Sequence, residues 1–178
     1  TRYGTVTGVQ TCALPIFSPL KPRPPVLPTR LPTLPTWNVP LQPTAVTVID
    51  SRYQGQLRCH CSHGPSGTVL ETDAPTDNQG KGERFSPTDL VATALSTCIL
   101  TIMGIVAERH GWPLEGATAR VEKTMTSEAP RRIAQLTVWI TLPDGLEERQ
   151  RAVLKRAAEN CPVKLSLAGA IPMQLHWS

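Results

Sequence analysis

Acidic residues are missing from the first 44 positions of this 178-residue chain, where Arg2, Lys21, Arg23 and Arg30 are the charged side chains. The formal charge of +4 therefore arises in that segment, and residues 45–178 hold 14 basic against 14 acidic side chains. A basic excess spread along such a stretch is not the clustered patch that recognises nucleic acid or an anionic membrane, and neither partner is expected. Cysteine is also scarce. Cys12, Cys59, Cys61, Cys98 and Cys161 are too few and too unevenly spaced for a small disulfide-stapled scaffold. No basic stretch followed by an apolar run opens the chain, so no secretory signal is read and a reducing cytoplasm is expected. In that compartment paired cysteines serve redox chemistry or metal binding more often than architecture. A second long apolar segment is missing too. The uncharged run from Leu90 to Ala107 is 18 residues, the lower edge of a membrane span. It contains Thr93, Ser96, Thr97, Thr101 and Gly104 and has no companion span, so it reads as a buried helix of a soluble fold.

Ten of the 18 prolines fall within residues 1–44, including Lys21-Pro22-Arg23-Pro24-Pro25. Proline fixes φ and removes a backbone donor, so an extended, disordered segment is expected there. Val6 to Ile16 moreover looks like the translation of a sequencing-library adapter, which puts the expected native start near residues 37–45. The domain organisation is thus a non-native N-terminal segment, 1–44, and one domain, 45–178, large enough to bury a core.

Within that domain, Ala45–Ile49, Tyr53–Cys61 and Thr68–Leu70 are short, β-branched and punctuated by Gly55, Gly64, Pro65 and Gly67, as strands and hairpins require. Asp73–Arg84 reads as a loop. A helix follows, with Ser86 as N-cap, Pro87 at the first position, Asp89 completing a capping box, and Gly111 as its stop after Arg109. Alternating strands are expected over Thr118–Met125 and Ile133–Leu142. A second amphipathic helix, Leu146–Asn160, turns Val153, Leu154, Ala157 and Ala158 inward, and Ile171–Trp177 forms a last strand. The order predicts an α+β fold, an antiparallel sheet packed on two helices.

Helical spacing groups Val91, Ala94, Leu95, Cys98, Ile102 and Ile105 on one apolar stripe, so Cys98 is expected to point inward. Burial alone silences a thiol: a free cysteine is roughly 3% thiolate at pH 7, and an apolar setting lowers that further. A cation about 4 Å away, at an effective dielectric of about 20, favours the thiolate by about 4 kcal/mol. Arg52, Arg58, Arg84, Arg131 and Arg132 are the candidates outside the helices. Cys161, in Asn160-Cys161-Pro162-Val163, sits where a helix must end, a position that leaves its thiol free to approach a partner. Cys59, Cys61 and His63 alternate along a strand and offer three ligands on one face, but no distant pair completes a zinc site, and no metal or cofactor is assigned.

Tyr53–Arg58, His63-Gly64-Pro65-Ser66-Gly67, Thr72-Asp73-Ala74-Pro75, Gly80-Lys81-Gly82-Glu83, Phe85–Ala92, Pro130-Arg131-Arg132-Ile133 and Cys161-Pro162-Val163 together resemble the OsmC/Ohr superfamily, osmotically inducible and organic hydroperoxide resistance proteins. The resemblance runs from about Ala45 to the C-terminus. It implies an intertwined homodimer with sites at the subunit interface and a thiol peroxidase cycle. In that cycle Cys98 attacks an organic or lipid hydroperoxide, Cys161 resolves the sulfenic acid as a disulfide, and a dithiol such as dihydrolipoamide restores both. The family places a glutamate directly after the helix-starting proline, where this chain has Thr88, with Asp89 one residue on. The family's thiolate-pairing arginine falls near Tyr53, so Arg52 or Arg58 has to substitute. Cys98, Cys161, Arg58 and Asp89 are therefore the expected site residues. The competing reading is a non-enzymatic dimer that binds an apolar ligand or senses redox state slowly.

Overall fold

The computed structural model describes residues 46–178; the Pro-rich segment, its adapter-like stretch and Cys12 lie outside the described residues. Strands β1 (Ile49–Gly55), β2 (Arg58–His63) and β3 (Val69–Asp73) form one antiparallel sheet in chain order. Within the stretch Tyr53–Cys61, which Gly55 is expected to punctuate, the chain folds back at Gln56-Leu57, directly after that glycine. Gly55 pairs with Arg58 across a two-residue turn whose residues have φ of 51° and 62°. Positive φ at both central positions is the hairpin geometry that matches strand twist, here built without the usual glycine. Tyr53 Oη secures it by accepting the Leu57 N–H at 3.3 Å.

The loop from β3 to the first helix is compact. Gly80 N–H donates to Pro75 O at 3.0 Å and Gly82 N–H to Ala74 O at 3.1 Å. The backbones approach so closely that a Cβ on Gly80 would lie 1.7 Å from Ala74 O. The helix that follows, α1 (Pro87–His110), has the expected start and stop. Ser86 Oγ accepts the Asp89 N–H at 3.1 Å, Asp89 accepts the Ser86 N–H at 2.8 Å, and Gly111 ends the helix at φ 65°.

Strands β4 (Thr118–Met125) and β5 (Ile133–Thr141) pair antiparallel; α2 (Glu148–Glu159) and α3 (Pro162–Leu167) follow, and β6 (Met173–Trp177) returns to β5. The class is the expected α+β, with three departures. The strands form two three-stranded sheets, and β6 runs parallel to β5. The intervening helices α2 and α3 carry the chain back to the starting end of β5, and a parallel pair needs such a crossover. The third helix departs from the two expected. Pro162 cannot continue α2 but suits the first position of a new helix, with Cys161 as its N-cap.

Leu95, Ile99 and Met103 of α1, Leu136, Val138 and Ile140 of β5, and Leu154 of α2 are fully buried together, each worth about 1.5–3 kcal/mol against exposure. The buried stripe of α1 is Ala92, Leu95, Ser96, Ile99, Met103 and Ala107, rotated from the expected one. Cys98, Ile102 and Ile105 sit beside it, half-buried. Among the described residues α1 is the one helix long and apolar enough to cross a membrane; it packs on α2, α3, β4 and β5. The first sheet leaves Ile49, Tyr53, Val69 and Leu70 exposed, as is Val48 just before it.

Two substitutions test this packing by urea denaturation. Leu136→Ala should cost roughly 2–5 kcal/mol through the cavity it leaves. Gly80→Ala should cost about 3 kcal/mol, because backbone rather than a flexible side chain would have to move.

Candidate active site

Cys98 lies at the middle of α1, at the edge of the buried stripe, and Cys161 caps α3 from inside the core. The chain brings the two together because α3 packs on α1. Both are free thiols, near enough to interact, but their environments differ. Cys98 is half-buried, whereas Cys161 is 0% exposed. Burial first, and interaction with the Cys98 thiol second, push the Cys161 thiol above its ordinary range. The helix end expected to leave the Cys161 thiol free to approach a partner is a buried cap, since Val163 and Leu167 of α3 also pack on the core. Chemically, the pair offers one thiol that solvent reaches and one protonated thiol held beneath it.

Arg58 and Asp89 are not gathered around that pair. Arg58, on β2, reaches the carboxylates of Glu83 and Asp73, its cross-strand partner. Its pKa is raised, first by the hydrogen bond to Glu83. Asp73 has no exposed side-chain surface and accepts the Glu83 N–H at 3.0 Å, the main influence holding its carboxyl below the usual range. Arg58 Nε and Asp73 Oδ1 are buried without a hydrogen-bond partner. Together these groups clamp the loop that leads into α1. Of the other arginines expected as candidates, Arg84 pairs with Glu71 at 3.3 Å and Arg131 with Asp77 at 2.8 Å.

Asp89 serves the start of α1. Besides its capping bonds it accepts from Lys123 Nζ at 2.5 Å, and the same ammonium donates to Thr88 Oγ1 at 2.8 Å. Burial opposes ionisation of Asp89, but the hydrogen bonds from Lys123 and Ser86 outweigh it and hold the carboxyl below its ordinary range. Lys123 is absent from the residues the sequence singles out. It occupies the inward face of β4 with Ala119, Val121 and Met125, and a lysine at an inward position of an alternating strand is the signal that could have found it. A cavity of about 660 Å³ opens beside it, walled by Phe85, Ala92 and Val121. Cys59 lines a second cavity, of about 330 Å³, while Cys61 Sγ accepts from Ser51 Oγ at 3.3 Å and His63 Nδ1 pairs with Ser66 Oγ at 2.7 Å.

An α+β chain of two three-stranded sheets, with one thiol on a long central helix touching a second on a later helix cap, defines a two-thiol class of protein. A family model described as OsmC-like protein matches residues 80–176. The crystal structure of a protein from Psychrobacter arcticus, described as an osmotic stress induced and detoxification response protein, is 39% identical. The match covers 76% of this chain and 98% of that one, with a TM-score of 0.70. The chain belongs to the OsmC-like protein family. Two more distant structures share its fold. An organic hydroperoxide resistance protein from Legionella pneumophila is 19% identical over 75% of this chain and 97% of that one, TM-score 0.62. Another, from Elizabethkingia anophelis with thiocyanate bound, is 15% identical over 76% and 96%, TM-score 0.62. No curated protein sequence matches the chain.

The Asp89–Lys123 junction gives a pH-dependent prediction. Because the folded carboxyl titrates below its unfolded value, its stabilisation is complete above a pH of about 4 and is lost as pH falls through the folded value. Asp89→Ala should cost about 1 kcal/mol at neutral pH, and the gap to the wild type in urea midpoint should close progressively under acid. A gap that stays constant down to strong acid would assign the loss to packing instead.

Proposed function

We propose that the protein is a homodimeric thiol peroxidase acting on organic or lipid hydroperoxides, with residues 45–178 as the functional unit. The observation that carries the reading is that α3 packs on α1 and brings buried Cys161 beside half-buried Cys98 in one core cluster. The more accessible thiol meets substrate first. Its thiolate attacks the terminal peroxide oxygen, the O–O bond breaks, and the alkoxide leaves as an alcohol after taking a proton; Cys98 becomes a sulfenic acid. The Cys161 sulfur then displaces water from that sulfenic acid and forms the disulfide. An external dithiol, of the dihydrolipoamide class, reduces it back. The apolar neighbours of Cys98, Val91, Ala94 and Ile102, favour an organic peroxide over hydrogen peroxide. Four free thiols among the described residues suit a reducing compartment such as the cytoplasm.

The dimer is supported by α1 itself. The helix is apolar on nearly all sides yet buries one stripe, and such a helix needs cover on its other face. In sedimentation the particle should have twice the mass of the 19.4 kDa chain, and Ile102→Glu should shift it toward monomer.

A second reading, the non-enzymatic dimer, draws on Thr88 and on Arg58, which is held by Glu83 and Asp73. Adding one equivalent of cumene hydroperoxide to reduced protein separates the two. The peroxidase forms a Cys98–Cys161 bridge, two hydrogens lighter, within seconds. Cys98→Ser abolishes turnover, and Cys161→Ser accumulates a sulfenic acid. No change over many minutes, or turnover retained in Cys98→Ser, would overturn the peroxidase.

A further inference from the structure

The free thiols among the described residues form two pairs of different geometry. Cys59 and Cys61 alternate on β2, half-buried, with Thr72 and Leu70 as cross-strand partners. Residues two apart on a strand lie about 6.6 Å apart along it. Pairing on both sides of β2 holds them at that spacing. Cys98 and Cys161 are held by different elements instead. α3 packs on α1, Cys161 belongs to the core cluster and Cys98 packs against it, and the two thiols lie near enough to interact. Half-buried Cys98 is met first from solvent, and Cys161, 0% exposed, lies behind it. Among the described residues no three His, Cys, Asp or Glu side chains are gathered so as to hold a metal ion. The pair is therefore two sulfurs without a third ligand, in a setting that disfavours charge.

Such a pair suits a soft element that forms three covalent bonds and takes two sulfurs without leaving a charge. We propose that Cys98 and Cys161 together bind a trivalent arsenical that carries one organic substituent. The Cys98 thiol adds across the As=O bond of R–As=O, and its proton passes to the oxygen. The Cys161 thiol then displaces that hydroxyl, which leaves as water with the second proton. Two As–S bonds form, two S–H bonds break, and arsenic stays trivalent, so no oxidant or reductant is consumed. The product is neutral. Zn²⁺ asks instead for thiolates and four ligands. The arsenical consumes thiols, protons included, and burial keeps Cys161 in that state. One bridging arsenic atom also spans more than an S–S bond of about 2 Å, so sulfurs already near enough to interact need little movement. Valence sets the selectivity. Inorganic arsenite has three exchangeable hydroxyls and is best held by three thiols; on this pair it keeps one hydroxyl in apolar surroundings. An organic substituent fills that third valence and lies beside Ala94 and Ile102, one turn to either side of Cys98. The binding needs no peroxide; only its consequence, a blocked peroxide cycle, rests on the proposed peroxidase.

The test treats the reduced full chain with one equivalent of phenylarsine oxide, followed by native mass spectrometry and by maleimide labelling with peptide mapping. The chain should gain one phenylarsenic group and lose two hydrogens. Labelling of Cys98 should stop, while Cys59 and Cys61 label at their former rates. At equal thiol concentration, 2,3-dimercaptopropanol should remove the arsenic and 2-mercaptoethanol should not, because separate monothiols cannot match two sulfurs held together. Cys98→Ser and Cys161→Ser should each weaken binding at least tenfold, and the double variant Cys59→Ser with Cys61→Ser should leave it unchanged. Arsenite should bind at least tenfold more weakly than phenylarsine oxide. Arsenic mapped to Cys59 and Cys61, binding that survives Cys98→Ser, arsenite binding as tight, or release by the monothiol as readily as by the dithiol would each overturn the proposal. If cumene hydroperoxide forms no Cys98–Cys161 bridge while the arsenical still closes on both sulfurs, the peroxidase fails and this site stands.

Discussion

The position of everything chemical in this protein follows from how one stripe of α1 is buried. Leu95, Ile99 and Met103 recur at intervals of four and lie against Leu136, Val138 and Ile140 of β5 and Leu154 of α2. Burying side chains of this size sets the rotation of the helix, because turning it by one residue would expose three of them at about 1.5–3 kcal/mol each. Once that rotation is set, Cys98 has no freedom. It falls one position before Ile99, at the margin of the core, where it is reached from outside and touched by Cys161 from within.

The helix start is held independently. Ser86 and Asp89 satisfy each other's backbone donors, and Lys123 from β4 ties that cap to the second sheet. Upstream, buried Asp73 and Arg58 grip the loop through Glu83. The entry to α1 is thus fastened to both sheets by charged groups, while its middle is fastened by apolar ones. An ion pair alone would be a weak anchor, but Asp73 and Asp89 also accept backbone N–H groups, which is where such arrangements gain strength.

Much of this is legible in the residues. The cap of α1, its glycine stop, the span of β4 and nearly all of β5 follow from local signals: a capping box, a left-handed glycine and period-two alternation. What is not legible depends on contacts distant in sequence. The expected stripe on α1 differs from the buried one because the helix is apolar on almost every side, so periodicity alone does not choose among rotations. The Gln56-Leu57 turn lacks the Asn-Gly or Asp-Gly signature and relies on Tyr53 for support. Arg58 reads as a thiolate partner because it lies near the right place in the chain; its cross-strand neighbour Asp73 explains why it is engaged elsewhere.

In the proposed peroxidase the two thiols would divide labour between them. Nucleophilic attack requires a thiolate that substrate can reach, whereas resolution requires a sulfur held close enough to capture a sulfenic acid before it is oxidised further. In the proposed cycle Cys161 suits resolution, because it is buried and its thiol, pushed above its ordinary range, interacts with that of Cys98. In that reading Cys98, half-buried at the margin of the core, suits attack by its exposure. Arg58, Arg84 and Arg131 each face a carboxylate in their own chain. In the proposed peroxidase, activation would then draw on groups that cover the outer face of α1. That is why the surface around Cys98, more than the thiol pair, decides between an enzyme and a slow sensor.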